Sequence, residues 1–468
     1  MREGDALVAK GEFERAGAVL NSALNCDPNH PGALWSLAYC YMKAEKWGMA
    51  YTCIKRAIEL WPGNPQVYKL YCNLGAATLS MASTSQDDKF LDEAEGYLLK
   101  GMKRADSKNG IVEDQDVEQA LNHLALISLF RAEPERAIHF AERSLKKNGL
   151  QKDVLETLGY AQLMLGRWKE GFYNYDFSVN SHRVRKLKPF HGEPFWDGSD
   201  GVKLFVRGEQ GIGDEISYAS CLGDAVKHGN KVTYECDKRL EGLMRRSFPE
   251  ITVHGTRFSE RDWSGEFDFH CLSGSLAREY RQTGESFPRK AFLTPDPERQ
   301  TQWRALLDTL PGKKVGIAWS GGLPNTFSGR RSFTTEKLMG LFSTPGITWV
   351  SLQYKDAERD IEALQKKGVS IHHWERAVGK SADYDETAAL VSQLDCVVSV
   401  CTAVVHLCGA IGQKCFVLVP SRPRWWYGLA GTEHAWYESL ELFRQKDKWP
   451  LDRLQQRLGE YLELKKAA

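Results

Sequence analysis

A glycine-rich turn in the middle of the chain carries a carboxylate in a position suited to proton transfer. The segment GEQGIGDE spans residues 208–215 and follows the apolar run VKLFVR. Gly211 and Gly213 predict a tight turn between a strand and a helix, with Asp214 at the start of the helix. A carboxylate there can take a proton from a hydroxyl, or it can cap the helix by accepting backbone N–H groups. The segment lacks the complete GxGxxG pattern and leaves both interpretations open.

A second glycine-containing turn precedes a pair of arginines. Ser320, Gly321 and Gly322 follow an apolar run, and backbone N–H groups in such a turn can form a nest for phosphate. Arg330 and Arg331 lie downstream in the same loop, and guanidinium groups suit two-pronged phosphate contacts. The alternative is a pair of solvated loop arginines, and the residues themselves do not decide between the two.

Two further segments combine a predicted strand end with groups that could hold an anion. In SVCTAVVHLCGAIG, Ser399 ends a strand and Thr402 begins a helix, whose N-terminus attracts anions. His406 lies one turn further and is either a ligand contact or a satisfied core histidine. In PSRPRWWYG, Arg422 and Arg424 alternate with aromatic residues that could stack a base or pack on a neighbouring domain.

These segments all fall where strands of a parallel sheet would end. From about residue 195, apolar runs alternate with helical patterns, which predicts two blocks of parallel strands with helical crossovers. Ligands bind beyond the carboxyl ends of such strands, so the candidate loops follow residues 207, 320, 353, 400 and 420. Gln353 closes one of these runs. The predicted strands are VKLFVR, KVTYEC, ITVHG, FDFHC, KKVGIAWS, ITWVSLQ, VSIHHW, DCVVSV and KCFVLVP.

The first 180 residues follow a longer period. Pro28 and Pro62 are 34 residues apart, as are Ala16 and Ala50. This period is typical of helix–turn–helix repeats, in which small residues let paired helices approach closely. The pattern predicts about five repeats, more than the three needed for a continuous core. A polar insertion at 81–89 predicts a longer loop in the third repeat.

The charge balance excludes a globally basic nucleic-acid coat. The 468 residues include 62 Lys+Arg and 61 Asp+Glu. Residues 1–190 hold 25 Lys+Arg and 24 Asp+Glu, and the remainder hold 37 of each, so anion binding must come from individually placed groups. No run reaches the roughly 18 apolar residues of a membrane span, and the first residues lack the apolar core of a secretion signal. The 11 scattered cysteines then predict free thiols in a cytoplasmic protein.

Taken in order, the segments resemble a known family. A repeat array ending in GRWKEGFYNYDF precedes PFWDG, EQGIGDE, FDFHCLSGSL, KKVGIAWSGG, RRSF, SLQ, SVCTAVVHLCGAIG, WYESLELFRQ and a closing helical segment. This order is similar to bacterial and phage tetratricopeptide-repeat proteins whose C-terminal domain is like glycosyltransferase family 9, the heptosyltransferase-like group. The resemblance covers nearly the whole chain. It implies an all-α solenoid followed by an α/β GT-B fold, in which two Rossmann-like halves face each other across a cleft.

The resemblance also implies roles for individual residues. Asp214 matches the proposed base of the family's Gly-Asp motif, and Cys401, Thr402 and His406 match its Asp-Thr-x-x-x-His segment. Cys401 is a departure, because a neutral thiol cannot hold a ribose hydroxyl or an arginine as a carboxylate does. The implied nucleotide-sugar contacts are Ser320, Gly321, Gly322, Arg330, Arg331, Gln353, Ser399, Thr402, His406 and Arg424, and the implied acceptor-side loop contains Glu209, Gln210, Gly211 and Gly213.

The sequence therefore predicts a metal-independent inverting glycosyltransferase, hexosyl- or heptosyltransferase-like, with a nucleotide-sugar donor and no other cofactor. The acceptor, presented by the repeats, would be a protein, a glycan or a modified DNA base. A basic strip at 183–188 is a candidate DNA contact, or else a solvated linker. The alternative function is a non-catalytic scaffold with a degenerate transferase domain, whose repeats bind a protein partner. Cys401 is the residue that favours this alternative.

The same patterns predict four segments. Residues 1–190 form the repeat array and linker, 191–305 the acceptor-side half and 306–448 the nucleotide-sugar half. Residues 449–468 form a C-terminal helix that packs back across the first half.

Overall fold

The computed structural model divides into two compact units, one ending at Ala161 and the other beginning at Gln162. The predicted boundary at residue 190, the basic strip at 183–188 and Gln210 lie outside the residues that the structure describes. The described residues are 1–85, 87–106, 115–146, 149–179, 193–209, 211–257, 266–322, 328–354, 357–379 and 382–463.

The first unit consists of helices that pack in adjacent pairs. Ala16 and Ala50, one repeat apart, are fully buried on corresponding helices, as the 34-residue period predicts. The unit therefore has the helical-repeat architecture expected from the sequence. Its helices are α1 Arg2–Ala9, α2 Phe13–Cys26, α3 Pro31–Lys43, α4 Trp47–Leu60, α5 Val67–Ser85, α6 Lys89–Asp106, α7 Gln115–Phe130, α8 Pro134–Leu145 and α9 Lys152–Met164, which continues past Ala161.

The helices α5 and α6 approach so closely that two positions between them require glycine. A Cβ at Gly75 of α5 would lie 2.5 Å from Leu98 Cγ of α6. A Cβ at Gly101 of α6 would lie 2.8 Å from Cys72 Sγ of α5. Real Cβ contacts are never this short, so both positions require glycine for the observed approach.

The loop predicted at 81–89 is wrong over most of its length, because α5 continues to Ser85. Hydroxyls in and just before this stretch bond back to carbonyls of the helix. Thr78 donates to the carbonyl of Leu74 at 2.7 Å, and Ser85 donates to that of Met81 at 2.8 Å. Ala82 is fully buried, so the added turn contributes to the core. The polar composition of the segment therefore indicates solvent on one helix face rather than a loop.

In the second unit, four of the described strands form a parallel sheet in the order β3-β2-β1-β4. Leu204 of β1 pairs with Val232 on one side and with Phe269 on the other. The chain direction across the sheet reverses between β1 and β4, and in such sheets a ligand crevice opens at this point. The strands are β1 Lys203–Arg207, β2 Lys231–Glu235, β3 Thr252–His254 and β4 Phe269–Leu272.

Six further described strands form a second parallel sheet in the order β10-β9-β8-β5-β6-β7. Ile317 of β5 pairs with Ser351 and Val398, so the reversal of order lies between β5 and β8. β8 and β9 are buried along their whole length, which explains their continuous apolar sequences. The strands are β5 Lys313–Ala318, β6 Ile347–Ser351, β7 Ile371–His372, β8 Cys396–Val400, β9 Cys415–Val419 and β10 Leu440–Arg444.

Helices cover both sheets, and among the described residues none is long and apolar enough to cross a bilayer. The fold class expected for this unit, two Rossmann-like halves, is confirmed by the two strand orders. The helices are α10 Trp168–Asp176, α11 Ile212–Ala219, α12 Leu222–Lys227, α13 Glu241–Ser247, α14 Leu276–Tyr280, α15 Pro297–Asp308, α16 Met339–Phe342, α17 Glu358–Lys366, α18 Glu375–Val378, α19 Tyr384–Val391, α20 Ala403–Ile411 and α21 Leu451–Tyr461.

The C-terminal helix α21 packs on the second sheet, which corrects the expectation that it lies across the first half. Leu454 and Leu458 are fully buried in the apolar core that also contains β5, β6, β8 and β9 side chains. Gln455 donates to the carbonyl of Gly340 at 2.9 Å, and Arg457 donates to Glu441 at 3.1 Å. The apolar stripe of α21 therefore completes the core next to it in sequence.

The predicted boundary at 305–306 lies inside α15. The side chains of α15 bond to the residues that end α19, since Gln300 donates to Ser392 at 2.8 Å and Arg304 donates to Gln393 at 2.9 Å. This helix is thus built into the second half.

The helix α10 belongs to the second unit, although the repeat pattern extends through it. Its Phe172 is buried and lies edge-on to Trp425 and Trp436, with ring centroids 5.7 and 6.2 Å away. Asp176, the last residue of α10, pairs with Arg278 of α14 at 3.2 Å. The periodicity of the repeats conceals this change of core, because the same helix spacing serves both.

The packing of α20 generates a stability prediction. A Cβ at Gly409 would lie 2.2 Å from Tyr437 Cγ, so Gly409→Ala should destabilise the second unit by about 1–3 kcal/mol. The control is Gly459→Ala in α21, where a Cβ has open space and should be neutral or stabilising by up to about 1 kcal/mol. Urea unfolding followed by tryptophan fluorescence measures both. Equal midpoints for the two variants would contradict the close contact.

Candidate functional site

The loop after β1 presents Asp214 in the first turn of α11. Gly211 is the N-cap residue, so Asp214 is the third helical residue and not the cap itself. A Cβ at Gly211 would lie 2.8 Å from Asp214 Oδ2, which means that the carboxylate folds back over this glycine. Asp214 is partly exposed. A carboxylate in this turn is favoured by the helix dipole and remains accessible to a substrate.

A buried cluster of ionisable side chains packs against the loop after β1. Glu215 is fully buried and is paired with Arg257, which also contacts Asp237 at 3.1 Å. The backbone N–H of Asp237 donates to Glu215 at 3.0 Å. Burial raises the pKa of Glu215 to about 8, against the opposing charge of Arg257. Adjacent carboxylates on α11 thus lie in opposite environments, one in the core and one at the surface.

Glu209, predicted on the acceptor-side loop, is buried rather than directed at solvent. Its carboxylate accepts from the N–H of Gly274 at 3.0 Å, in the turn that follows β4. Its backbone carbonyl accepts from Arg257. Glu209 therefore joins the loops at the carboxyl ends of β1 and β4, which lie side by side in the first sheet.

Gln353 fixes the turn that follows β5. Its side-chain amide donates to Ser320 Oγ at 2.7 Å and accepts from the N–H of Ser320 at 3.1 Å. Gln353 is itself buried after β6. A Cβ at Gly321 would lie 2.5 Å from Thr402 Cγ2, so the turn rests directly on the residue that precedes α20. Gly322 has a φ of +91°, which only glycine adopts readily.

The N-terminus of α20 lies at the carboxyl end of β8. Thr402 is the N-cap residue, and its hydroxyl makes no capping bond to the helix. It lies instead 3.3 Å from the hydroxyl of Ser399, which is fully buried and donates to the carbonyl of Val400 at 2.8 Å. The N-cap residue of α20 therefore meets the Ser320–Gly322 turn at the reversal point of the second sheet.

The structure brings the Gly-Asp turn of the first half to the same place. A Cβ at Gly213 would lie 3.3 Å from Ala403 Cα, the first residue of α20. Gly213 is adjacent to Asp214, and Ala403 is adjacent to Thr402. Groups from β1, β5 and β8 thus converge, although more than 180 residues separate the first from the last.

His406 takes a structural position in this arrangement. It is almost fully buried, and its Nδ1 lies 2.7 Å from Ser217 Oγ of α11. Its ring packs against Trp426 at 5.2 Å and Tyr437 at 6.1 Å between centroids. The satisfied-core interpretation describes this geometry, since the ring bonds to the facing helix.

Arginines border the turn and the N-terminus of α20. Burial lowers the pKa of Arg331, and the neighbouring positive charge of Arg424 lowers it further. Arg330 and Arg331 lie in a short 3-10 turn, Ser328–Arg331, and Arg424 is exposed. Two guanidinium groups close enough to repel each other are stabilised by an anion placed between them.

Cys401 adds no negative charge to this group. Burial raises the pKa of its thiol to about 12, despite the positive charge of Arg331. The thiol therefore stays protonated at neutral pH and donates weakly to the carbonyl of Leu418 at 3.6 Å. A carboxylate at this position would place a negative charge beside Arg331, and the neutral thiol does not.

The aromatic loop after β9 packs inside the protein. Trp425 and Trp426 are buried and stacked on each other, with centroids 4.0 Å apart. Trp425 is also edge-on to Phe172, so it faces the last repeat-like helix rather than a base. Arg444 of β10 donates to the carbonyls of Gly428 and Gly431 at 3.0 and 2.7 Å and holds the loop.

The residues that sequence reasoning missed are Ser217, Arg257 and Arg444. Ser217 and Arg257 stand in segments without a motif, and Arg444 lies in β10, which was not predicted as a strand. Their partners are 40 to 220 residues away or in irregular loops, and no spacing rule encodes such contacts. Across the described part of the chain, no three His, Cys, Asp or Glu side chains are grouped to hold a metal ion.

Burial of His406 predicts a loss of stability in acid. Burial lowers its pKa from 6.5 to about 4, and lowers that of the neighbouring His434 well below 6.5. The unfolded chain binds these protons near pH 6.5, whereas the folded chain does not, so stability should fall as the pH drops from about 6.5 towards 4. The slope is at most about 1.4 kcal/mol per pH unit for each histidine.

Urea unfolding at several pH values tests the predicted loss of stability in acid. His406→Asn should flatten the slope, with the exposed His228→Asn as control. An unchanged slope in His406→Asn would contradict a neutral His406 in the folded protein.

Comparison with known proteins identifies one curated relative. The chain is 30% identical over 405 residues to protein FlbA of Caulobacter vibrioides, an alignment that covers 81% of this chain. The chain spans 64% of the length of that relative. No protein-family model matches the chain.

Solved structures resemble its two parts separately. A tetratricopeptide-repeat protein of Thermus thermophilus is 20% identical, with 37% of this chain and 86% of that chain covered and a TM-score of 0.30. ADP-heptose heptosyltransferase II of Escherichia coli is 11% identical, with 57% and 100% covered and a TM-score of 0.41. A glycosyltransferase family 9 protein of Veillonella parvula is 11% identical, with 57% and 90% covered and the same TM-score.

Likenesses at this level carry no argument about activity, and the architecture rests on the helix pairs and strand orders of the chain itself. Those elements show that the chain combines tetratricopeptide-type helix repeats with an α/β unit of two Rossmann-like halves.

Proposed function

We propose that this chain is an inverting glycosyltransferase that uses a nucleotide-sugar donor and Asp214 as its base. The contact of Gly213 with Ala403 carries the proposal, because it puts an accessible carboxylate beside a helix N-terminus suited to phosphate. A base and a leaving-group site must be neighbours for a single displacement. In this proposal the first sheet supplies the base and the second sheet supplies the leaving-group site.

The donor diphosphate would lie at the N-terminus of α20. The first N–H groups of α20 offer backbone donors, and Arg331 and Arg424 offer positive charge. Cys401 stays neutral and therefore adds no negative charge beside Arg331. Such fixed donors stabilise a departing diphosphate without the need for a metal ion.

The reaction would be a single displacement at the anomeric carbon. The Asp214 carboxylate takes the proton of the acceptor hydroxyl, and the acceptor oxygen attacks the anomeric carbon. The bond from that carbon to the phosphate oxygen breaks, and its electron pair leaves with the nucleoside diphosphate. One displacement inverts the anomeric configuration.

The acceptor side is less specified by the residues. The helical repeats of the first unit would bind the acceptor or a protein partner, and a protein, a glycan or a modified DNA base all supply a hydroxyl. The basic strip at 183–188 that would favour DNA lies outside the described residues. A cytoplasmic location, where nucleotide sugars are made, accompanies this proposal.

A non-catalytic scaffold is the rival function, and the neutral Cys401 is the observation that favours it. A scaffold with a degenerate site has no need to retain nucleotide affinity. Nucleotide binding therefore separates the two proposals before any acceptor is known.

Removal of the proposed base should abolish turnover without unfolding the chain. Asp214→Asn keeps the shape of the side chain but cannot accept a proton, so transfer should fall by at least about 100-fold. The control is Asp452→Asn, an exposed carboxylate in the first turn of α21. Mass spectrometry of acceptor peptides or glycans, with a panel of nucleotide sugars, follows transfer. Full activity in Asp214→Asn would exclude the assignment.

The arginine pair should dominate nucleotide affinity. Arg331→Met or Arg424→Met should weaken binding of a nucleoside diphosphate by about 10- to 100-fold, the loss of a charged hydrogen bond. Titration calorimetry with UDP, GDP, ADP, CDP and dTDP measures this, with Arg245→Met, an exposed arginine of α13, as control. No binding of any of these nucleotides to the unaltered chain would favour the scaffold.

A further inference from the structure

A buried hydrogen-bonded seam joins the two halves of the α/β unit at Ser217. This residue of α11 is fully buried. Its hydroxyl lies 2.7 Å from His406 Nδ1 of α20, and it accepts from the Tyr437 hydroxyl at 3.0 Å. The indole N–H of Trp436 donates to the Ser217 carbonyl at 3.1 Å and to Ser220 Oγ at 3.0 Å. Side chains of the second half thus bond to both the hydroxyl and the backbone of one serine in the first half, whose hydroxyl also donates to the carbonyl of Gly213 in its own helix at 3.0 Å.

Glycine residues allow the backbones of α11 and α20 to come into contact at this seam. Gly213 touches Ala403, and a Cβ there would also lie 3.1 Å from His406 Cδ2. One turn after His406 in α20, Gly409 receives the ring of Tyr437. No solvent layer separates α11 from α20 at these contacts, which are as close as those within a single core.

A second contact joins the halves away from the site. Arg246 of α13 forms a two-pronged ion pair with Asp385 of α19, at 2.7 and 2.6 Å. Asp385 is almost fully buried, and a Cβ at Gly242 would lie 3.0 Å from its carboxylate. Removal of one partner while the other stays buried would leave a polar or charged group unpaired, which is unfavourable.

We infer that Ser217, through His406 and Tyr437, is a positioning residue that fixes Asp214 against the N-terminus of α20, so that the halves act as one body. The inference rests on the proposed function, because it gives the seam the role of fixing the distance between the base and the leaving group. Asp214 lies one turn before Ser217 on the same helix, and Thr402 lies one turn before His406. The hydrogen bond between the two helices therefore sets the separation of the two reacting sites.

Kinetics of seam variants test the positioning role. Ser217→Ala should lower kcat by about 10- to 100-fold through misplacement of the reacting groups, with the donor KM changed little. His406→Asn places an amide near the position of Nδ1 and should retain most of kcat, whereas His406→Phe keeps the ring without the bond and should not. The matched control is Ser247→Ala, which removes a hydroxyl that accepts from the N–H of Thr294 at 2.9 Å on α13. Equal kcat in Ser217→Ala and the unaltered chain would overturn the inference.

Amide hydrogen exchange tests the coupling of α11 and α20 without an activity assay. In the full chain, amides of α11 and α20 should be protected to the same extent, with or without added UDP. Ser217→Ala should speed exchange in both helices, and Ser247→Ala in neither. Faster exchange confined to α11, or loss of protection in both helices when UDP is added, would overturn the seam. A chain that transfers no sugar but shows the coupled exchange refutes the proposed function alone.

Discussion

The backbone contact between α11 and α20 is the constraint on which the candidate site depends. Each helix begins where the strand order of its sheet reverses, so each carries the loop that can meet a ligand. Gly213 and Ala403 touch because neither presents a bulky side chain at the crossing. With the helices in contact, the Asp214 carboxylate, the Thr402 N-cap and the Ser320 turn become neighbours. The surrounding loops are then held by buried groups, such as Glu215 below α11 and Gln353 behind the turn.

Much of this fold could be predicted from the sequence, since its signals are local. The 34-residue period predicted buried alanines at Ala16 and Ala50, and each apolar run taken as a strand overlaps one in the structure. The loops that follow β1, β5 and β8 were identified because parallel sheets place ligands at carboxyl ends. Local patterns thus determine which segments reach the edge of each sheet.

The remaining features depend on contacts that no local pattern encodes. β10 was missed because Glu441 and Arg444 interrupt its apolar run, and the strand lies at the sheet edge where such residues are tolerated. His406 matched a ligand motif, yet its ring bonds to Ser217, nearly 190 residues earlier in the chain. The helix α10 follows the repeat period but packs into the second unit through Phe172. Helices with the same repeat spacing can thus serve different cores, and only the tertiary partners distinguish them.

The seam between the halves also affects how the domain can be recombined. A hybrid that joined the first half of this chain to the second half of a relative would have to match both sides of α11 and α20. A Cβ at Gly409 would lie 2.2 Å from Tyr437 and one at Gly213 would lie 3.1 Å from His406, and the Ser217 hydroxyl bonds to His406 across the seam. Recombination with a relative is therefore better made by grafting single loops than by swapping whole halves. The two Rossmann-like halves therefore form one structural unit, and neither half can be exchanged alone.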